Sequence, residues 1–354
     1  MHPSFKINNS SFTSQSFLNY LEELIVDEQL YLQEIGLFLK EWTNNEEYII
    51  VHTSGSTGTP KQIQLRKDYM RNSALATGEY FSLKANTTAL LCLSANYIAG
   101  KMMLVRAMVL GWDIHLVSPE LNPLLNLKNS FDFCAMVPMQ VEESLSQLTK
   151  IKQLIIGGGV VSPSLNKHLQ TVNTNCFATY GMTETITHIA VKKLNNFGNI
   201  DSDKNNNLHY NILSNVVISQ DDRDCLIIDA PLVSNETIVT NDIVELHSTT
   251  QFEWLGRYDN VINSGGIKLF PEQIEEKLSQ LIKKRFFVIG ISDDKLGEKL
   301  ILIIESNQDL AFTKLDYNEC NLSKFEIPKK VFVIPKFIET TTGKTQRKKT
   351  LALL

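Results

Sequence analysis

The chain has 354 residues, a net charge of −5, 43% hydrophobic and 21% charged residues, an ordinary globular composition with room for two domains. The mild acidity excludes a general affinity for nucleic acid or anionic membrane, and the most apolar stretch, residues 102–117, is broken by Arg106 and Asp113, so no membrane span is expected. Residues 1–20 are polar and carry no secretory pattern, and the five scattered cysteines lack CxxC spacing, so a cytoplasmic protein with free buried thiols is expected.

In chain order, the first strong signal is the apolar run Tyr48–Val51, read as a buried strand that empties into a loop of hydroxyl residues and glycines. Thr53, Ser54, Ser56, Thr57 and Thr59 offer hydroxyls, Gly55 and Gly58 let backbone N–H groups approach an anion, and Lys61 adds a cation. Such a loop suits a polyphosphate. It is not a Walker A loop, which needs four residues between its glycines and Ser or Thr after the lysine; here two residues separate Gly55 from Gly58, and Gln62 follows Lys61.

Strands predicted at Ala89–Leu93, Asp113–Val117, Phe133–Val137, Gln153–Ile156 and Asn175–Thr179 alternate with helices at Arg66–Phe81, Ile98–Leu110, Pro138–Thr149 and Ser162–Val172. That alternation predicts a mainly parallel sheet covered by helices, with ligands at the strand ends. Gly157, Gly158 and Gly159 form a tight turn after one strand, and Tyr180-Gly181-Met182-Thr183-Glu184 follows the last. Short strands then follow at Asn211–Ser219, Cys225–Ile228, Ile238–Leu246 and Phe252–Leu255, a small β-rich unit. From Asp259 the texture changes again: a helix at Pro271–Ile282 and strands at Phe286–Ile291, Leu300–Glu305 and Val331–Ile334 predict a small α+β domain. The predicted fold class is α/β. A large amino-terminal domain, 1–258, holds the mainly parallel sheet and the β-rich subdomain; a small mobile α+β domain, 259–354, follows.

The phosphate loop and the Tyr180–Glu184 segment resemble two signatures of the adenylate-forming superfamily of acyl-CoA ligases, peptide-synthetase adenylation domains and luciferases. Three further elements occur in the family's order: Thr240-Asn241-Asp242, the stretch from Gly256-Arg257-Tyr258-Asp259 to Ser264-Gly265-Gly266 and Glu272–Glu275, and Gly343-Lys344 near the carboxyl end. The resemblance spans residues 51–347. It implies binding of ATP by the phosphate loop, with Gly157 and Gly158 beside the base, Tyr180 stacked on the adenine and Gly181 in the same turn. It further implies Thr183 at the α-phosphate, Glu184 on Mg²⁺, Asp242 at the ribose hydroxyls and Arg257 at ribose or phosphate. Asp259 would be the interdomain hinge, Ser264, Gly265 and Gly266 the tunnel for coenzyme A, and Lys344 the catalytic cation. Three departures stand out: Asn241 replaces the usual glycine, Ile338-Glu339 replaces Pro-Lys before the lysine motif, and the segment ahead of the phosphate loop is short. The last implies a trimmed large domain that keeps its nucleotide site.

The reaction implied by the family has two halves: a carboxylate attacks the α-phosphorus of MgATP, and a thiol then displaces AMP. The segment 93–108 is similar to that of the o-succinylbenzoate–CoA ligases of menaquinone biosynthesis. Their acid keeps a second carboxylate, which needs a buried cation or several donors; Arg106 is the first candidate and Lys101, on the same helix, the second. A ligase for another aryl or short-chain acid, an enzyme loading a carrier protein, and a catalytically silent nucleotide-binding scaffold stay open, as does the oligomeric state.

Overall fold

The computed structural model describes residues 1–52, 62–197, 209–307, 316–339 and 345–354. The chain opens with β1 (Lys6–Ile7), β2 (Ser10–Ser11), α1 (Ser14–Ile25) and α2 (Leu30–Thr43). Thr13 starts α1 with a reciprocal cap: its hydroxyl accepts from the Ser16 N–H, and the Ser16 hydroxyl accepts from the Thr13 N–H. Phe17, Leu21 and Leu24 then turn one face of α1 into the core.

A ribbon of β3 (Tyr48–His52) and β4 (Gln62–Arg66) follows, antiparallel and separate from the large sheet. The expected buried strand at Tyr48–Val51 is therefore half-buried: Ile49 and Val51 face the core, while Tyr48 and Ile50 are exposed. A wholly apolar run conceals this alternation, because its composition gives both faces the same reading.

The body of the molecule comprises α3 (Lys67–Tyr80), β5 (Thr88–Leu91), α4 (Ile98–Leu110), β6 (Asp113–Leu116), β7 (Phe131–Met136), α5 (Pro138–Glu143), β8 (Ile151–Ile156), α6 (Pro163–Leu169) and β9 (Asn175–Gly181). Strands β1, β6, β5, β7, β8 and β9 lie side by side in that order, all parallel. Period-2 alternation divides the core between the two faces. Ala89, Leu91, Phe133, Ala135 and Ile155 pack with helices α1 to α4, whereas Leu90, Cys92, Cys134, Met136, Leu154 and Ile156 pack with α5 and α6. Both faces are covered, as parallel sheets require.

Beyond β9 the sheet turns antiparallel through β10 (His188–Lys193), β11 (Tyr210–Ile212), β12 (Val217–Gln220), β13 (Cys225–Asp229), β14 (Ile238–Ser248) and β15 (Gln251–Arg257). The β-rich unit thus continues the main sheet, which reaches 13 strands among the described residues. A second, 5-stranded sheet contains β16 (Ile262–Ser264), β17 (Ile267–Leu269), β18 (Phe286–Asp293), β19 (Gly297–Glu305) and β20 (Lys330–Ile334), with α7 (Pro271–Leu278) and α8 (Arg347–Leu351) beside it. Its core, including Ile274, Leu278, Val288, Leu300 and Leu302, is distinct from that of the large sheet. Arg347 ties α8 down by donating to both carboxylate oxygens of Glu275 at 2.6 and 2.8 Å. All five cysteines are buried. Among the described residues no helix is long and apolar enough to cross a membrane.

Candidate active site

Four parallel strands end at one cavity of about 510 Å³. Its wall is built from Leu93 and Ser94 after β5, Val137 after β7, Gly157 and Gly158 after β8, and Thr179, Gly181 and Thr183 around the end of β9. The first turn of α4, Ile98 to Gly100, closes one side. A cleft at the carboxyl ends of parallel strands is where α/β sheets bind ligands. The structure therefore brings together Gly157, Gly158, Gly181 and Thr183, which sequence alone had placed in separate motifs.

The signature turn after β9 is fixed from beneath. Buried Thr185 accepts from the Met182 N–H at 3.1 Å and donates to the Thr187 carbonyl at 2.7 Å. Gly181 admits no other residue without a backbone shift, since a Cβ there would lie 2.2 Å from the Thr187 carbonyl oxygen. Ile186 has φ of +66°, a conformation that a β-branched residue adopts at a cost of about 1–3 kcal/mol and that concentrates at functional sites. Glu184 protrudes from this turn into solvent, and among the described residues no basic side chain pairs with it. An exposed carboxylate of this kind suits a hard cation such as Mg²⁺.

Arg106 is the most unusual group of the cavity wall. It is 1% exposed and lines the same space as Thr183 and Gly158. Its Nε donates to Thr77 Oγ1 at 3.2 Å and its Nη2 to Thr187 Oγ1 at 3.3 Å. No carboxylate pairs with it among the described residues, and burial pushes its pKa down to about 9, which still leaves it charged at neutral pH. His188 stands beside it, its ring nitrogens 3.4 Å from Thr77 Oγ1 and Thr187 Oγ1. Burial, with Arg106 second, holds His188 well below the usual histidine range, so it is neutral. Sequence reading missed Thr77, Thr187 and His188, which carry no motif. Lys101 lies elsewhere: it is absent from the cavity wall, sits 4.6 Å from the Phe38 ring centroid and faces the acidic side chains Glu34 and Glu41.

A second cluster draws its side chains from β9, β14 and β15. Asp242, buried at 6% exposure, accepts from the Tyr180 hydroxyl at 2.7 Å, from Trp254 Nε1 at 3.1 Å and from Arg257 Nη1 at 3.4 Å. A carboxylate has about four acceptor positions, so the described residues leave one for a ligand hydroxyl. Burial, reinforced by Asp242, raises the Tyr180 pKa, keeping that phenol a donor. Its ring meets Phe252 edge-on at 5.2 Å. Asp259 follows on a single 3₁₀ turn, Tyr258–Asn260, with its carboxylate 3.7 Å from Arg257. Asn241, which stands where the family has glycine, does not adopt a left-handed conformation. It is an ordinary residue of β14 whose side chain bonds Arg223 and Asp259.

Ser264, Gly265 and Gly266 lie on the second sheet, outside the cavity wall. Gly265 and Gly266, at φ of +60° and +81°, form the two-residue loop of the β16–β17 hairpin, the backbone that type I′ turns demand. Among the described residues nothing lies within 4 Å of a Cβ added at Gly266, so the turn accounts for that glycine by itself. The phosphate loop (Thr53, Ser54, Gly55, Ser56, Thr57, Gly58 and Lys61) and Lys344 lie outside the described residues.

A family model described as AMP-binding enzyme matches residues 16–210. The chain belongs to the AMP-binding enzyme family. A crystal structure of an acyl-CoA synthetase (AMP-forming)/AMP-acid ligase II-like protein from Dyadobacter fermentans is 34% identical, with a TM-score of 0.63, over 95% of this chain and 97% of that one. A 2-succinylbenzoate–CoA ligase from Staphylococcus epidermidis is 26% identical over 335 residues, 85% of this chain and 68% of the relative. The o-succinylbenzoate–CoA synthetase of Bacillus subtilis, solved with its acyl-adenylate intermediate, shares the fold at a TM-score of 0.74 and 20% identity, over 85% of this chain and 68% of that one. The expected α/β adenylate-forming fold and the family assignment both stand.

Proposed function

We propose that this AMP-binding enzyme is an ATP-dependent acid–thiol ligase that converts o-succinylbenzoate to o-succinylbenzoyl-CoA in menaquinone biosynthesis. The observation that carries the choice of acid is Arg106, a buried cation without an acidic partner among the described residues, facing a cavity at the strand ends. A monocarboxylic acid spends its one charge at the reacting phosphorus. A dicarboxylic acid brings a second carboxylate to pair with a cation that burial otherwise penalises.

In the first half-reaction the aliphatic carboxylate oxygen attacks the α-phosphorus, an O–P bond forms and pyrophosphate leaves. In the second the coenzyme A thiol adds to the acyl carbonyl and AMP departs with the bonding electrons. Positioning and charge neutralisation do the catalysis, with no covalent enzyme intermediate. Mg²⁺ supplies charge neutralisation on the phosphates, and Glu184 would hold it. Thr183 donates to the α-phosphate, Gly157, Gly158 and Gly181 let backbone approach the nucleotide, and Tyr180 flanks the adenine. Asp242 takes a ribose hydroxyl in its remaining acceptor position, with Arg257 at ribose or phosphate. Thr53, Ser54, Gly55, Ser56, Thr57, Gly58 and Lys61 hold the pyrophosphate end, and Lys344 bridges carboxylate and phosphate. The 259–354 unit turns about Asp259 between the half-reactions, withdrawing Lys344 and presenting Ser264, Gly265 and Gly266 to the thiol arm. Reliance on ATP and coenzyme A places the enzyme in the cytoplasm.

The test is pyrophosphate release from MgATP with o-succinylbenzoate, benzoate, acetate or a medium-chain fatty acid. Release selective for o-succinylbenzoate is expected. Release with another acid would keep the chemistry and discard the substrate, and silence with all four would discard both.

A further inference from the structure

The antiparallel half of the sheet carries a cluster that the ligase reaction does not use. His209 immediately precedes β11, His247 lies near the end of β14, and Glu253 is in β15. The pairing of Tyr210 with Phe252 puts His209 next to Glu253 across the strands, and Glu245 pairs with Glu253 on the other side. A bulge between Leu246 and Ser248 makes His247 the extra residue of its strand, the device by which sheets re-aim a side chain. The two imidazole centroids are 3.6 Å apart, tilted by 35°. His247 Nε2 is 3.8 Å from Glu253 Oε2, and one donor atom from each of the three residues lies within 4.8 Å of the others.

A second observation points to a ligand. His209 is only 8% exposed, and its buried Nδ1 has no hydrogen-bond partner among the described residues, an uncommon state for a polar atom in a folded protein. Around the His209 ring, Lys192 and Glu245 are of opposite charge, so Glu253 supplies the charge that favours a cation.

We propose that His209, His247 and Glu253 bind one divalent transition-metal ion of the zinc class. Two imidazoles and a carboxylate suit Zn²⁺, Co²⁺ or Ni²⁺, whereas Mg²⁺ prefers oxygen donors, so the site is chemically distinct from that of Glu184. Ligands on a tetrahedral ion at about 2.1 Å are roughly 3.4 Å apart; the cluster reaches that spacing by side-chain movements of about 1 Å. Three protein donors leave a fourth position for water. The ion clips β11, β14 and β15 together roughly 13 Å along β15 from Arg257, at about 3.3 Å per residue. It touches no reacting atom, and its effect is to stiffen the two strands that carry Asp242 and Arg257.

The experiment uses the full-length chain without an affinity tag, freed of metal by a chelator and titrated with ZnCl₂ and, separately, CoCl₂. Uptake of one tight equivalent is expected, with the intense visible bands of four-coordinate Co²⁺ and a rise of several degrees in Tm. His209→Ala and His247→Ala should each weaken that equivalent by more than the roughly 10–100-fold typical of losing an outer-shell partner, and excess Mg²⁺ should not displace it. The wild-type Co²⁺ spectrum reads the coordination directly, so the test survives a variant that fails to fold. Absence of a tight equivalent, the weak bands of six-coordinate Co²⁺, displacement by Mg²⁺, or unaltered affinity in both folded variants would each overturn the proposal.

Discussion

Replacing Arg106 with Met removes the cation that is proposed to hold the second carboxylate while keeping much of the side chain's volume. The guanidinium is buried, its pKa is pushed down to about 9, and with no acidic partner among the described residues its charge costs on the order of 5 kcal/mol in the free protein. Removing one partner from a buried ion pair costs about 3–5 kcal/mol, so kcat/KM for o-succinylbenzoate should fall by about 10²–10⁴. The loss should appear mainly in KM for the acid, with KM for ATP unchanged, because Arg106 is remote in role from the nucleotide. Stability should hold or rise in a urea titration: the variant no longer buries an unpaired charge, and Thr77 still donates to the Ser73 carbonyl at 3.0 Å. The pH dependence has a definite sign. The folded pKa lies below the unfolded one, so folding opposes the charged form; the cation is present below pH about 9 and fades above it. KM for the dicarboxylate should therefore climb above that pH in the wild type and lack this limb in Arg106→Met. An unchanged KM in a folded variant would refute the assignment of Arg106.

Three further outcomes are expected. Lys344→Ala should slow acyl-adenylate formation by about 10²–10³-fold or more, read as single-turnover pyrophosphate release; an unaltered rate would remove Lys344 from the mechanism. Asp259→Pro should impair thioester formation more than adenylation, and equal losses in both half-reactions would count against a hinge there. Gly181→Ala forces a Cβ against the Thr187 carbonyl at 2.2 Å and should cost about 1–3 kcal/mol in urea unfolding, with loss of pyrophosphate release; wild-type stability would contradict the packing described.

The layered α/β design was legible because strand and helix segments alternate and because Gly157, Gly158 and the Tyr180–Glu184 turn each follow an apolar strand. Arg106 was legible as a cation in an apolar helix, but its setting was not. Its partners come from α3 and from the turn just before β10, Thr77 and Thr187 lying 29 and 81 positions away, and such non-local contacts leave no periodic trace. The choice between Arg106 and Lys101 was equally hidden. Five residues on an α-helix amount to about 140° of rotation, enough to send one side chain to the cavity and the other to Phe38. Since α4 is buried nearly all round, its hydrophobic pattern marks no preferred face. The exposed side of β3 escaped notice for a related reason: Ile50 reads as core by composition and is 45% exposed.

The most direct test of the ligase assignment is mass spectrometry of the products formed from MgATP, o-succinylbenzoate and coenzyme A. One o-succinylbenzoyl-CoA per AMP, with none formed when ATP or enzyme is omitted, is the expected result. AMP without thioester, or a thioester of a competing acid in preference to o-succinylbenzoate, would contradict it.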